Sequence, residues 1–272
     1  MRSHISVLTR RQGPHGARYR KPAYQHLDRD ADVSCATVFR PQFRDETPES
    51  HFPLQTVIRL NQPRFINRYD SREILIVVDG SCWNNGHSVF PDLPSTGGCS
   101  FVFKGGHGGA VTTYPFLQDG SDQSGTIGFP LETEGPDGHY YDPTSNAAKL
   151  RAVIAALEFR PWHLEGWRRI IIATDLTYVV KGATEWLPQW VAKGWRKGRG
   201  KGGLANRALW EKLHAVIMNL KRHNTEVSFW LITRKDPASR SGYVKDAKSA
   251  AREAAQLQGF NSEWNRLSGI NV

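Results

Sequence analysis

Cysteine is scarce. Cys35, Cys82 and Cys99 are the only three in 272 residues. They form no metal-ligand spacing and no even framework, which excludes a disulfide scaffold and a cysteine metal site and points to a reduced, intracellular compartment. Long apolar runs are missing too. None approaches the roughly 18 residues that a membrane helix needs, so no membrane partner is expected. No secretory hydrophobic region opens the chain. Acids are absent from residues 1–27, where Arg2, Arg10, Arg11, Arg18, Arg20 and Lys21 stand. That stretch also lacks a hydrophobic period and is expected to be a disordered basic tail. A mitochondrial transit peptide is the competitor, because it too is Arg-rich and acid-poor. Nuclear or cytoplasmic residence is therefore expected, with the mitochondrion as the alternative.

What is present is charge of one sign and enough apolar residues for a core. The formal net charge is +10, the sequence pI about 9.7, and 39% of residues are hydrophobic. A chain this basic favours an anionic partner, nucleic acid first and acidic membrane surface second. Ribosomal and other structural nucleic-acid proteins share that balance, so charge alone does not make an enzyme.

The chain divides by composition. Residues 28–70 are polar and dotted with proline, with Phe39, Phe43, Phe52, Leu54 and Ile58 scattered through them. They read as an irregular arm laid on a domain. The domain itself is expected over 71–258, with a C-terminal tail over 259–272. Within it, Glu73 to Asp79 is an apolar, β-branched run ending in a carboxylate and then Gly80, the pattern of a buried strand followed by a turn. Strands are also expected over 97–103 and 126–131. Three strands without a helix between them suggest an antiparallel meander. The connection from Gly105 to Gly125 is long for a hairpin.

Helical spacing follows in Leu150, Val153, Ile154 and Leu157, capped by Thr144 or Ser145. Arg169 to Asp175 is another apolar run ending in Asp. A short helix is expected over 176–185, a longer one over 205–221, a strand over 226–232 and an Ala-rich helix over 243–257. The order is β-β-β-α-β-α-α-β-α, an α/β (mixed α+β) chain with a five-stranded mixed sheet and helices on both faces. Strand–helix–strand connections cross over right-handed, so the strand ending in Asp175 should lie parallel to the one ending in Asp79.

Two carboxylates at adjacent strand ends repel unless a cation lies between them. Hard oxygen ligands suit Mg²⁺ or Mn²⁺, and a pair of such ions can activate water against a phosphodiester. The alternative for Asp79 is an ordinary Asp-Gly turn.

Val78-Asp79-Gly80-Ser81-Cys82, Asn85-Gly86, Ser145-Asn146-Ala147-Ala148-Lys149-Leu150, Ala173-Thr174-Asp175 and the helix bearing Asp246-Ala247 together resemble a type 1 ribonuclease H, closest to its fungal-looking branch. The resemblance covers roughly 71–258. It implies the ribonuclease H-like fold, an RNA–DNA hybrid as partner, and hydrolysis of the RNA strand by two Mg²⁺ held by an Asp-Glu-Asp-Asp quartet. Asp79 matches the first metal ligand, Asp175 the second Asp and Asp246 the last, with Asp236 as a rival for that place. The family's Glu falls on Lys149, a cation without a lone pair. At about 4 Å and an effective dielectric near 20, each pair of opposite charges is worth roughly 4 kcal/mol. Lys149 either bridges Asp79 and Asp175 in place of metal, or swings out and leaves a weakened one-metal site. Asp175 is followed by Leu176 where the family usually has Ser. The loop over 233–243 has no His, which many members carry before the last Asp.

The resemblance also extends to the family's basic protrusion. Here it spans Trp186, Trp190, Lys193, Trp195, Arg196, Lys197, Arg199 and Lys201: cations for phosphate, and indole faces for sugars or bases. The alternative is that Trp186 and Trp190 anchor the core and only the later basic loop touches nucleic acid. Asn85 and Asn146 match positions that contact the RNA backbone and its 2′-hydroxyls. Ordinary turn and cap roles are their alternatives. The chain is expected as a monomeric protein that binds RNA–DNA hybrid or double-stranded RNA with impaired or absent catalysis. An active Mg²⁺-dependent endonuclease using the remaining carboxylates is the second reading. A ribonucleoprotein scaffold with a protein partner is the third.

Overall fold

A computed structural model describes residues 35–57, 62–83, 95–105, 111–113, 125–196, 203–257 and 262–268. Its centre is β4, Glu73–Trp83. Ile74, Ile76 and Val78 enter one core cluster, and Leu75 and Val77 enter another. A strand apolar on both faces must be covered on both, which explains its continuous rather than alternating pattern. The same holds for β8, Arg169–Thr174, with Ile170 and Ile172 on one side and Ile171 and Ala173 on the other.

β8 lies parallel to β4, with Val77 opposite Ala173. β5 (Thr96–Val102) is antiparallel to β4, and β7 (Thr126–Pro130) is antiparallel to β5. β9, Glu226–Leu231, is parallel to β8. These are the five expected strands, and they form the middle of a seven-stranded sheet. Two short edge strands complete it. β1 (Thr37–Val38) pairs with β9, and β6 (Val111–Thr113) pairs with β7, both in parallel. A separate antiparallel hairpin joins β2 (Leu54–Val57) to β3 (Gln62–Phe65). Contrary to expectation, β4 does not stop at Asp79. It runs on to Trp83 because Gly80 to Trp83 find partners in Cys99 to Thr96 of β5.

Helix α2, Ser145–Glu158, covers one face; the Thr144 hydroxyl caps it by accepting from the Ala147 amide at 3.1 Å. Helix α5, Arg207–Arg222, packs on the same side through Leu213, Ile217 and Leu220. Helix α6, Gly242–Gln256, lies across the other face. Its alanines permit a close fit. A Cβ on Gly98 of β5 would stand 2.2 Å from the Ala251 carbonyl oxygen, closer than any side chain tolerates. A four-residue helix α1, Pro48–His51, precedes the hairpin. Between β8 and α5 run α3 (Thr177–Lys181), a π-helical turn over Gly182–Trp186, and α4 (Leu187–Ala192). No described helix is long and apolar enough to cross a membrane.

Two buried ionic knots tie distant segments to this frame. Glu165 accepts from Arg64 of β3 at 2.8 and 3.0 Å, from Arg160 at 2.7 Å and from the Trp167 indole at 2.8 Å. The other joins Arg151 of α2 to Glu132 and to the Asn265 carbonyl, with the Trp264 ring 4.0 Å from the guanidinium. Leu267 is buried in the core beyond them.

Candidate active site at the end of the central strands

Asp79 and Asp175 each stand two residues beyond the paired Val77 and Ala173. By strand alternation they share the face that α6 covers. Gly80 explains how α2 reaches them from the other face. A Cβ there would lie 2.4 Å from the Lys149 amide nitrogen, so only glycine lets the helix approach. Lys149 Nζ then lies 2.6 Å from Asp79 Oδ1 and also pairs with Asp175 Oδ1. The side chains of Lys149 and Asp79 are 12% and 11% exposed, enough burial to make the pairing obligatory.

Electrostatics follow the geometry. Burial works against the charge on Lys149, yet Asp79 and Asp175 outweigh it and raise its pKa above that of a free lysine. Burial pushes the Asp175 carboxyl up, but Lys149 and then Lys248 bring it below the usual carboxylate range. Lys248 Nζ, on α6, stands 3.3 Å from Asp175 Oδ2. Two acids and two ammonium groups thus meet at the strand ends.

Asp246, the expected third acid, is not brought to this cluster. Helix α6 turns Val244 and Lys248 toward the crevice that Asp79, Thr174 and Asp175 line. Asp246 is exposed, about 200° around the helix axis from Val244. Although the residue is exposed as a whole, partial desolvation of its carboxyl and then the nearby Glu49 raise its pKa. Glu49 in turn caps α6, accepting from the Ser241 hydroxyl at 2.7 Å and the Gly242 amide at 2.6 Å. Asp246→Asn is therefore expected to change stability by no more than about 0.5 kcal/mol, slightly upward. Urea denaturation at neutral pH checks this, and a loss of several kcal/mol would assign Asp246 a structural or electrostatic role that its surroundings do not provide. Asp236, the rival, is held in its own turn, accepting from the Thr233 amide at 2.6 Å and hydroxyl at 2.8 Å.

A divalent ion does not fit this donor set. Among the described residues, no group of three or more His, Cys, Asp and Glu could hold a metal. Lys149 already stands between the two carboxylates that come together.

Lys248 is the residue that sequence reasoning misses, though its signal is present. Val244, Ala247, Lys248, Ala251 and Ala255 recur at i, i+3, i+4, i+7 and i+11, so Lys248 borders the apolar stripe. Asp246 falls on the opposite side with Lys245, Ser249 and Glu253, all exposed.

The expected nucleic-acid residues divide. Trp190 packs inward, with its ring 5.4 Å from Trp210 and 5.9 Å from Trp186. Trp195 turns back at φ 60° and packs against the core and the His214 ring. Both are anchors rather than open stacking platforms. Lys193 and Arg196 are exposed beside them. Gly182 sits under Trp210, where a Cβ would come within 2.1 Å of the indole, and the Trp210 indole donates to the Tyr178 hydroxyl at 2.9 Å. Asn146 is exposed in the first turn of α2. Asn85, Lys197, Arg199 and Lys201 lie outside the described residues.

A family model described as RNase H matches residues 71–229. The ribonuclease H of Cyanothece sp. is 47% identical over 113 residues, which cover 42% of this chain and 66% of that protein. The ribonuclease H of Xanthomonas campestris pv. campestris is 43% identical over 83 residues, 30% of this chain and 50% of that one. The chain thus spans between half and about two thirds of the length of these relatives. Among solved structures, the PFV RNase H domain covers 66% of this chain and 93% of its own, at 18% identity and a TM-score of 0.44. With more than half of its residues matched by that family model, the chain belongs to the RNase H family.

Proposed function

We propose that the protein binds RNA–DNA hybrid or double-stranded RNA and hydrolyses it poorly or not at all. One observation carries this reading: Lys149 Nζ bridges the carboxylates of Asp79 and Asp175. In the family resemblance these acids hold Mg²⁺, and Lys149 occupies the place of a metal-binding Glu. An ammonium offers no lone pair to a metal and satisfies the same charge. The nucleic-acid-binding domain is proposed as 71–258 together with the parts of 28–70 and 259–272 that pack onto it, Phe52 and Phe65 in one core cluster and Leu267 in the other, with a basic tail over 1–27. Lys193 and Arg196, at the mouth of the basic protrusion, would meet backbone phosphate.

Anisotropy with a labelled hybrid, alongside a gel assay with Mg²⁺, tests the proposal. Binding that weakens steeply with salt, without product, is the expected result. Cleavage at the rate of a bacterial ribonuclease H run in parallel would end it and favour the working endonuclease. No binding at low salt, with a stable protein partner recovered, would favour the scaffold. Lys193→Ala combined with Arg196→Ala is expected to weaken binding uniformly across sequences. The salt dependence should flatten by about one unit of slope for each phosphate no longer neutralised. An unchanged slope would place the nucleic acid elsewhere.

A further inference from the structure

We infer that Lys149 and Lys248 form a built-in cation pair, through which Lys248 contacts nucleic-acid phosphate without any divalent ion. The inference rests on the hybrid-binding reading above and deepens it. The two lysines come from helices on opposite faces of the sheet and meet at Asp175, Lys149 pairing with Asp79 as well. Their positions differ in a useful way. Lys149 is enclosed and shared between Asp79 and Asp175, so its charge is spent inside the protein. Lys248 meets Oδ2 of Asp175, the oxygen that Lys149 leaves open, and its side chain is 30% exposed against 12% for Lys149. An ammonium has three donors, and one carboxylate oxygen uses one of them. The cluster is therefore neutral in sum, and its most exposed charged side chain is the Lys248 cation. A site of two acids without lysines would repel phosphate until metal bound. This one has no such requirement. It follows that removing Lys149 alone cannot rebuild a metal site, because Lys248 would still face Asp175.

Two measurements on the full chain test this. The first is hybrid affinity in EDTA and in Mg²⁺ at matched ionic strength. The natural chain is expected to show a difference below about twofold, and Lys248→Gln to weaken binding about threefold or more with a shallower salt slope. The second is Mn²⁺ binding followed by electron paramagnetic resonance, which needs no nucleic acid and no turnover. Lys149→Glu alone is expected to bind Mn²⁺ weakly, whereas Lys149→Glu with Lys248→Asp binds it at least about tenfold tighter. Thermal melts confirm that each variant is folded. Hybrid binding by the natural chain that rises steeply with Mg²⁺ would overturn the inference while leaving the hybrid-binding reading intact. So would an unchanged affinity and slope in Lys248→Gln, or equal Mn²⁺ binding by the single and double variants. Failure to bind hybrid in either buffer would remove the hybrid-binding reading and the phosphate contact with it.

Discussion

Lys149→Met should cost about 3–5 kcal/mol at neutral pH, because it leaves two enclosed carboxylates without the charge between them. The natural chain and the variant should also respond differently to acid. In the natural chain the Asp175 carboxyl is held below its ordinary 3.8. A depressed acid stabilises above its unfolded pKa, and that contribution is lost as pH falls through the folded value. Lys149 is raised above 10.5, so its contribution holds below that value and is lost only as pH rises through the raised pKa. Between these limits Asp175 and Lys149 add no pH dependence. In the variant, like charges and burial both favour a proton on one aspartate. The folded state then binds more protons than the unfolded chain near neutrality, so stability climbs as pH falls from 7 toward 5. Lys248 stays 3.3 Å from Asp175 and moderates the effect. Urea denaturation at pH 5 and 7 measures both quantities. Parallel pH profiles for the two proteins would show that Lys149 is not the counter-ion of this pair.

Glu165→Gln is the second large effect, expected at about 3–5 kcal/mol. Arg64 is fully enclosed, with its guanidinium 5.5 Å from the Phe103 ring and 5.8 Å from the Trp162 ring. Burial pushes the Glu165 carboxyl up, but Arg64 foremost, then Trp167 and Arg160, bring it below the usual range. A neutral amide cannot balance two guanidinium groups in that setting, and its amino group would face them as a donor. Rescue is expected on the same ground. Arg64→Met with Glu165→Met should recover only part of the loss, since the apolar pair removes the Arg64 charge but still takes the Glu165 carboxylate away from Arg160 and the Trp167 indole. Denaturation of the single and double variants decides it. A loss below about 1 kcal/mol in Glu165→Gln would mean that water reaches Arg64.

Much of this site is legible in the chain itself. Glu73–Asp79 and Arg169–Asp175 are apolar, β-branched runs, and the right-handed crossover between them leaves little choice but parallel neighbours with their acids side by side. Lys149 is legible only through the family resemblance, which sets it where the family carries a Glu. The contribution of α6 is not. Both Asp246 and Lys248 lie in its first turns, and only the burial of Ala247 and Ala251 decides which one faces the sheet. The edge strands escape for a different reason. Two or three residues carry no period, so β1 and β6 exist only because a neighbouring strand offers them hydrogen bonds. The Arg64–Glu165 knot joins residues 101 apart, beyond the reach of local pattern.

The pairing of β1 with β9 has a consequence for biosynthesis. Thr37 meets Ser228 across 191 residues, hydroxyl to hydroxyl at 2.7 Å. A segment that leaves the ribosome early must therefore wait for almost the whole chain before it can dock. Until then the outer rim of the sheet is uncovered, and an uncovered rim invites strands from other nascent chains. Chaperone demand during translation should accordingly be highest in the interval after β9 emerges and before the amino-terminal segment returns to seal it.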